Sequence, residues 1–574
     1  TVTGDSNIVL GESAGYNLTD GSWNVAIGKF AGAELTSAQS SVIIGCYAGW
    51  KTTDGDNNVM LGFRPGMYNT TGVGNVYLGP TAAMNRNSSY NIAIGNEALN
   101  AADTATDNTG GCNIALGYES GKDITTGNNN ITLGKHAGCS METGSDNIAL
   151  GRLALGSGTV TGDSNIVLGE SAGHTLTSGH HNLLVGDCAG TRLTTTSYNA
   201  LFGINAGQSM RGNYNVAFGG GALAGAWGGH ATNTGSCNIA LGKSPGTGMT
   251  TGSNNIMLGC RAAYNMTTGA DNIAMGQSAM ESGVVTGNCN IALGSRAGKN
   301  ISSGQYNVFF GKYAGHGNTS GHCNIAIGCN AGKGITTATE NISIGGLGLQ
   351  QAAGNMNVQI GRYGQFYMCG ACNISLGQNT MQGTSTAADN VGHSNIALGK
   401  SAMFYQKSGC YNIAIGENAL SGPAAGVTGN YNIAIGCDAG KTITSGVVNV
   451  IMGRYAAGAL TTGTDNVILG CFAARNSISL CANIIMGPET GACLCNGSHN
   501  IAMGQYAMRG SSTVSANTAA GNVALGQNAL AVISSGSNNV ALGKEAGNAI
   551  TTGSNSVAIG FAALSTEDTL SGSV

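Results

Sequence analysis

Apolar and polar positions alternate along this chain in one short unit that recurs from end to end. Asn-Ile-Ala-Leu-Gly stands at Asn113–Gly117, Asn238–Gly242 and Asn395–Gly399, with close variants at Asn24–Gly28 and Asn539–Gly543. There are 32 copies, spaced usually by 17 residues, sometimes by 16 or 18, and by 20 to 23 in five places. The alternating, β-branched run predicts a short strand. Gly breaks it, and Ala-Gly predicts a second tight corner. An apolar residue such as Leu35, Ile124 or Ile335 then turns back inward, and Thr-Thr-Gly leads to the next Asn. Seventeen residues are too few for a strand–helix–strand unit or a propeller blade, and a fixed short period marks a repeat architecture. The prediction is an all-β fold: a parallel β-solenoid, or β-roll, of about 32 coils with a 17-residue period and almost no helix. Residues 1–564 would form one continuous solenoid, with 565–574 off the repeat. Coils ~4.8 Å apart would make a rod of roughly 150 Å.

The near-invariant positions have physical reasons. Gly in fifth place (Gly28, Gly117, Gly242, Gly399, Gly543) predicts a positive φ or a backbone approach too close for a Cβ. Asn in first place (Asn24, Asn113, Asn238, Asn395, Asn539) is replaced only at Ser41 and Ser556, and predicts a ladder of stacked amides. Both roles are structural. Within the strand, the second and fourth positions are apolar nearly throughout, as at Ile8 and Leu10, Val216 and Phe218, and Ile433 and Ile435. They are expected to face the coil interior. The third position points the other way. It is usually Ala, but Met60, Tyr77, Leu201, Met257, Phe309, Ile451, Ile468 and Ile485 elsewhere. A strand apolar on both faces is buried on both faces. One thin coil cannot cover both, so these eight residues are expected at an interface between copies of the chain.

Composition narrows the function classes. With 97 glycines and only 5% aromatics, a wide globular core is out of reach. Formal net charge is −4, charged residues are 9%, and no basic stripe offers a nucleic-acid footprint. No apolar run approaches the ~20 residues of a membrane span, so no membrane insertion is expected. Carboxylates such as Asp56, Asp146 and Asp271 fall one residue before the motif Asn, or two, a turn position that favours Asp locally. No paired acids and no phosphate-binding glycine loop are evident, so neither an enzyme nor a cofactor is expected. Cys369-Gly-Ala-Cys372, with His393 and Cys410 on the next two coils, is the one candidate zinc site. Free thiols or a local disulfide is the preferred alternative. Seventeen cysteines, an odd number, leave at least one thiol free or paired between chains.

Asn555-Ser556-Val557-Ala558-Ile559-Gly560, with the motif generally, resembles the head-domain repeat of trimeric autotransporter adhesins, and similar repeats occur in phage and large-virus tail fibres. The resemblance implies a parallel homotrimer of left-handed β-rolls packed about a three-fold axis. It also implies an extracellular, cell-surface or virion fibre that mediates attachment to a receptor or glycan. The family's coil is shorter than 17 residues, and its cysteines are fewer. A self-assembling filament without a receptor is the competing reading. An ice-binding solenoid needs an uninterrupted Thr face, which Ser302-Ser303 and the longer coils break. A polysaccharide-cleaving fibre needs clustered carboxylates.

Specificity is expected in the five expanded segments: Asn100–Gly111, Ala224–Ser236, Gln382–Ser394, Ser421–Tyr431 and Arg509–Gly521. Each follows a coil corner where Ala-Leu, Ala-Met or Thr380-Met381 replaces Ala-Gly, so corner change and added length are expected to go together. All should emerge along one edge, the usual place for binding loops of a solenoid. Trp227 in one segment and Pro423 in another predict ordered tips.

Overall fold

The computed structural model describes residues 3–101, 108–225, 233–351, 354–511, 517–566 and 571–572. They form a parallel β-solenoid of 32 three-residue strands, one per repeat, and the helical turn among them is a single 3-10 turn at Ala387–Asp389. Contacts group the chain into two units, residues 1–288 and 289–574. The first carries β1 (Ile8–Leu10) to β16 (Ile273–Met275), and the second β17 (Ile291–Leu293) to β32 (Val557–Ile559). Within each unit every strand pairs in parallel with the next, in a constant register: Ile8 opposite Val25, Ile131 opposite Ile148, Val308 opposite Ile325. The register survives the expanded coils. Ile374 still stands opposite Ile396, 22 residues on.

The motif Asn residues hold that register. All but Asn7 are buried, and in coil after coil the Oδ1 accepts the backbone N–H of the next motif Asn: Asn130 N–H on Asn113 Oδ1 at 2.9 Å, Asn255 N–H on Asn238 Oδ1 at 3.0 Å, Asn412 N–H on Asn395 Oδ1 at 2.9 Å. The Nδ2 donates to a turn carbonyl further along the coil, as from Asn24 to Ala38 O at 2.6 Å and from Asn539 to Gly553 O at 2.8 Å. Ser41 reproduces both bonds with one atom, its Oγ accepting the Asn58 N–H at 3.1 Å and donating to Gly55 O at 3.3 Å. A buried N–H left without an acceptor is costly, which is why so few other residues serve here. Further along the coil, threonine hydroxyls run a second ladder, Thr36 Oγ1 to Thr53 O and Thr53 Oγ1 to Thr70 O.

Gly in fifth place answers two constraints at once. At Gly242 φ is +130°, and an added Cβ would lie 2.8 Å from Gly259 O in the coil above. Gly28, Gly117, Gly399 and Gly543 have the same φ within a few degrees and the same neighbour relationship.

The strand faces are the reverse of the sequence expectation. Met60, Tyr77, Leu201, Met257, Phe309, Ile451, Ile468 and Ile485 are fully buried inside the chain's own coil, so none of them stands at an interface between copies. The second and fourth positions point outward and stay open, with Phe218 57% and Phe310 54% exposed. The reason is the width of the coil. Its interior is so narrow that Ala is the usual inward residue, and larger ones enter singly or stacked, as in Ile43–Met60–Tyr77 and Ile451–Ile468–Ile485. Phe309 is stacked between Ala292 and Ala326 and faces the corners at Gly298 and Gly315. Monotonous alanine marked the inside, and the β-branched positions marked the outside.

Candidate recognition edge

Counting the motif Asn as position 1, positions 6, 7, 10 and 11 form the corner that follows each strand. Position 7 adopts a left-handed φ in coil after coil, at Phe30, Tyr47, Glu119, Arg261, Tyr313, Phe472 and Tyr506 among others. That turn leaves the side chains of the corner pointing outward, stacked one coil upon the next. The chain's sparse charge gathers here. Glu34 Oε1 meets Lys51 Nζ at 2.5 Å, Lys122 Nζ meets Glu97 at 2.7 Å, Arg261 meets Glu281 at 2.8 Å, and Lys400 meets Glu417 at 3.1 Å. Asp438 is nearly buried beside Lys441, at 3.0 Å. Burial pushes its carboxyl upward, but hydrogen bonds from Lys441, Cys437 and Asn418 with the Lys441 charge outweigh that and hold it below the usual range.

Aromatic rings stack along the same corner. Phe30 and Tyr47 lie 5.0 Å apart, and Tyr455 and Phe472 lie 5.3 Å apart at 5°. Basic side chains sit on them: Lys51 on Trp50 at 4.3 Å, Arg296 on Tyr313 at 5.4 Å, Arg509 on Tyr506 at 5.2 Å. A second ring stack occupies the position before the motif Asn, His181–Tyr198–Tyr214, with separations of 5.0 and 4.9 Å. Two clefts open on the corner. One of about 400 Å³ is lined by Tyr16, Asn17, Phe30, Glu34 and Trp50, and one of about 510 Å³ by Arg475, Tyr506 and Arg509 with their neighbours.

The expanded segments leave the coil at this corner and return through a buried residue. Asn108, Asn233, Asn390, Val427 and Asn517 play that part in the five segments. Asn390 staples its loop: its Nδ2 donates to Tyr367 O at 3.1 Å and Thr384 O at 2.8 Å, and its Oδ1 accepts the Thr384 hydroxyl at 2.8 Å. Asn517 does likewise, donating to Cys493 O at 2.6 Å and Ser511 O at 2.9 Å. Pro423 opens a turn closed by the Gly426 N–H on its carbonyl at 2.9 Å. Trp227 lies outside the described residues. The altered corner is not tied to added length. Leu99, Leu223 and Met508 turn inward at φ near +50° ahead of expanded segments, but Met403 and Leu530 do the same in coils of ordinary length.

The candidate zinc ligands do not converge. Cys372 stands one residue before a motif Asn, His393 and Cys410 two before, and Cys369 four before, so the coil phase separates them. His393 N–H donates to Cys410 Sγ at 3.5 Å, whereas Cys369 Sγ faces Gln351 O at 3.7 Å. Among the described residues no group of three His, Cys, Asp or Glu side chains is placed to hold a metal. All seventeen cysteines are free thiols.

One buried charge escaped the sequence reading. Arg86 occupies the inward position that Leu or Ile fills elsewhere and is fully buried. It donates to Gly110 O at 2.7 Å, to Leu99 O at 3.4 Å and to Ile124 O, and burial pushes its pKa down to about 10. The signal was present in the chain: a basic residue at an apolar phase, immediately before the first expanded segment. Likewise, the phase of the charged residues within the period would have located the corner. No family model and no curated protein matches the chain.

Proposed function

We propose that the chain is the repeat body of a structural, adhesive fibre, assembled as a parallel homotrimer and displayed on a cell or virion surface. The observation that carries the assembly is the open face of the strands. The second and fourth positions are Val, Ile, Leu, Met or Phe in nearly every coil, and in the single chain they are half-buried to exposed, never fully covered. Sixteen strands per unit, ~4.8 Å apart and each presenting two side chains ~7 Å apart, make an apolar stripe on the order of 500 Å². A soluble monomer leaves a stripe of that size open only where something binds. The motif's resemblance to trimeric adhesin heads supports a second and third copy as the cover.

Attachment is supported by the contrast between faces. Ladder positions repeat with little change, and so offer no discrimination. The corner edge varies from coil to coil and carries the charge, the rings, the clefts and the loops. A receptor-free filament would have no use for that variation. Mass photometry of the full chain tests the assembly: a trimer mass is expected, and a stable soluble monomer at micromolar concentration contradicts it. Retention of labelled protein on intact cells tests the attachment, with loss expected when loops Gln382–Ser394 and Ser421–Tyr431 are cut to ordinary coil length. Unchanged retention would make the loops mere patches over their corners.

A further inference from the structure

Two guanidinium groups line one cleft of the corner edge with a single carboxylate near them. The cleft, of about 510 Å³, is bounded by Arg475, Asn476, Cys493, Tyr506, Arg509 and Asn528. Arg475 lies on the Phe472 ring at 5.1 Å, and among the described residues it has no ion pair. Arg454 reaches the same ring at 5.9 Å and Tyr455 at 5.2 Å. Arg509 lies on Tyr506 and meets one acid, Glu489, at 3.8 Å, too far for a hydrogen bond. Four successive coils therefore carry three arginines and three rings against two carboxylates, Asp465 and Glu489, in a chain whose formal charge is −4. Elsewhere on the edge some bases are answered by an acid of the neighbouring coil, as Lys51 by Glu34 and Lys400 by Glu417.

A guanidinium lying on a ring is held in place while its N–H edge stays free for a planar anionic acceptor. The remaining lining is of another kind. The Tyr506 hydroxyl and the amides of Asn476 and Asn528 suit neutral hydroxyl groups. The Tyr506 ring, Ala531 and Val532 suit C–H surfaces. Hydroxyls, C–H faces and an anionic group occur together in one ligand class.

We propose that this cleft binds an anionic saccharide, with Arg475 and Arg509 holding its carboxylate or sulfate. The assignment rests on the reading of the edge as a recognition surface and names the ligand's charge. It stands apart from the assembly question, because a soluble oligosaccharide can be titrated whatever the oligomeric state.

The experiment titrates the full chain by calorimetry with three size-matched oligosaccharides: an oligogalacturonate, a heparin hexasaccharide and a dextran oligomer. At least one anionic ligand is expected to bind tenfold or more tightly than dextran, and the stronger of the two identifies the anionic group. Arg475→Ala and Arg509→Ala should each weaken that binding at least tenfold with an unchanged circular dichroism spectrum, and Arg475→Lys should restore part of it. Arg211→Ala, the same charge change at an exposed position off the corner, should do nothing. Equal affinity for dextran, equal loss in Arg211→Ala, or equally tight binding of polyglutamate or single-stranded DNA would each overturn the assignment.

Discussion

Phe309 fills the coil directly beneath the corner at Gly315, so closely that a Cβ on Gly315 would stand 2.3 Å from the ring edge. Gly298 faces the same ring from the coil below, where an added Cβ would stand 2.8 Å from it. One large inward residue is thus admitted by two empty corners. Gly315→Ala is predicted to destabilise its coil by about 2–4 kcal/mol, from overpacking against a rigid ring plus the cost of Ala at a left-handed φ. Gly283, with nothing within 4 Å of its ideal Cβ, is the control, and Gly283→Ala should change little. Hydrogen exchange of the amides around Phe309 measures the local opening that a melting curve of so long a repeat would blur. Equal protection in both variants would mean that the corner has room.

The ladder and the corner can be compared in one coil. Asn238 takes part in four buried side-chain hydrogen bonds: its Oδ1 accepts two from Asn255, and its Nδ2 donates to Gly252 O and Asn215 Oδ1. Asn238→Ala orphans the buried Asn255 N–H and should cost about 2–4 kcal/mol. Asn238→Ser should cost less than half of that, because a hydroxyl can hold the N–H, as Ser41 does. Gly242→Val puts a β-branched side chain at φ +130° against backbone and should prevent the coil from closing at all. Proteolysis of the three purified variants checks the order. Alanine and valine equally susceptible would show that the amide matters as much as the glycine.

Much of this was legible in the chain because period and register are the same fact in a solenoid. The spacing of Asn and Gly defines where each coil begins, and hydrogen bonds between identical positions follow. What misled was size. In a globular strand the bulky face is the inner one, and that habit put Ile8 and Leu10 inside and Met60 and Phe309 outside. A coil this thin inverts the rule, and alanine at the third position was the evidence. The zinc candidates misled for a related reason. Cys369, Cys372, His393 and Cys410 are near in sequence, but one residue of phase turns a side chain to another face.

Arg86 tests a departure from the pattern. Its inward position is Leu35 or Ile124 in other coils, so the pattern suggests that an apolar residue would be tolerated. The structure argues otherwise. Gly110 O, Leu99 O and Ile124 O all take hydrogen bonds from the guanidinium. Arg86→Met removes a buried charge but strands the Ile124 carbonyl, while Gly110 O keeps the Ser88 hydroxyl and Leu99 O keeps the Ala101 N–H, and should destabilise the neighbouring coils by about 1–3 kcal/mol. Arg86→Lys keeps the charge and loses the fork, and should be no better. Limited proteolysis within Asn100–Gly111 reads the outcome, with faster cleavage expected in both variants. A Met variant as resistant as the parent would show that the Ile124 carbonyl finds another donor.

Phe309 and Phe310 are adjacent in one strand and face opposite ways, which separates folding from assembly. Phe309 is buried in its own coil, while Phe310 is 54% exposed on the open apolar face. Phe309→Lys would place an unpaired charge in a dry interior and is predicted to unfold that coil in any oligomeric state. Phe310→Lys places the same charge in water. It leaves the isolated chain intact, and becomes costly only if another copy covers that face. One lysine among so many contacts is easily absorbed, so the informative variant is Phe218→Lys, Phe310→Lys and Leu376→Lys combined. All three residues are exposed, and they span both units. The expected result is a native circular dichroism spectrum with a mass shifted from trimer toward monomer, and a shift that grows as salt is lowered because like charges then repel over a longer range. If the triple variant keeps the parent's mass, the open strand face is not where the copies meet.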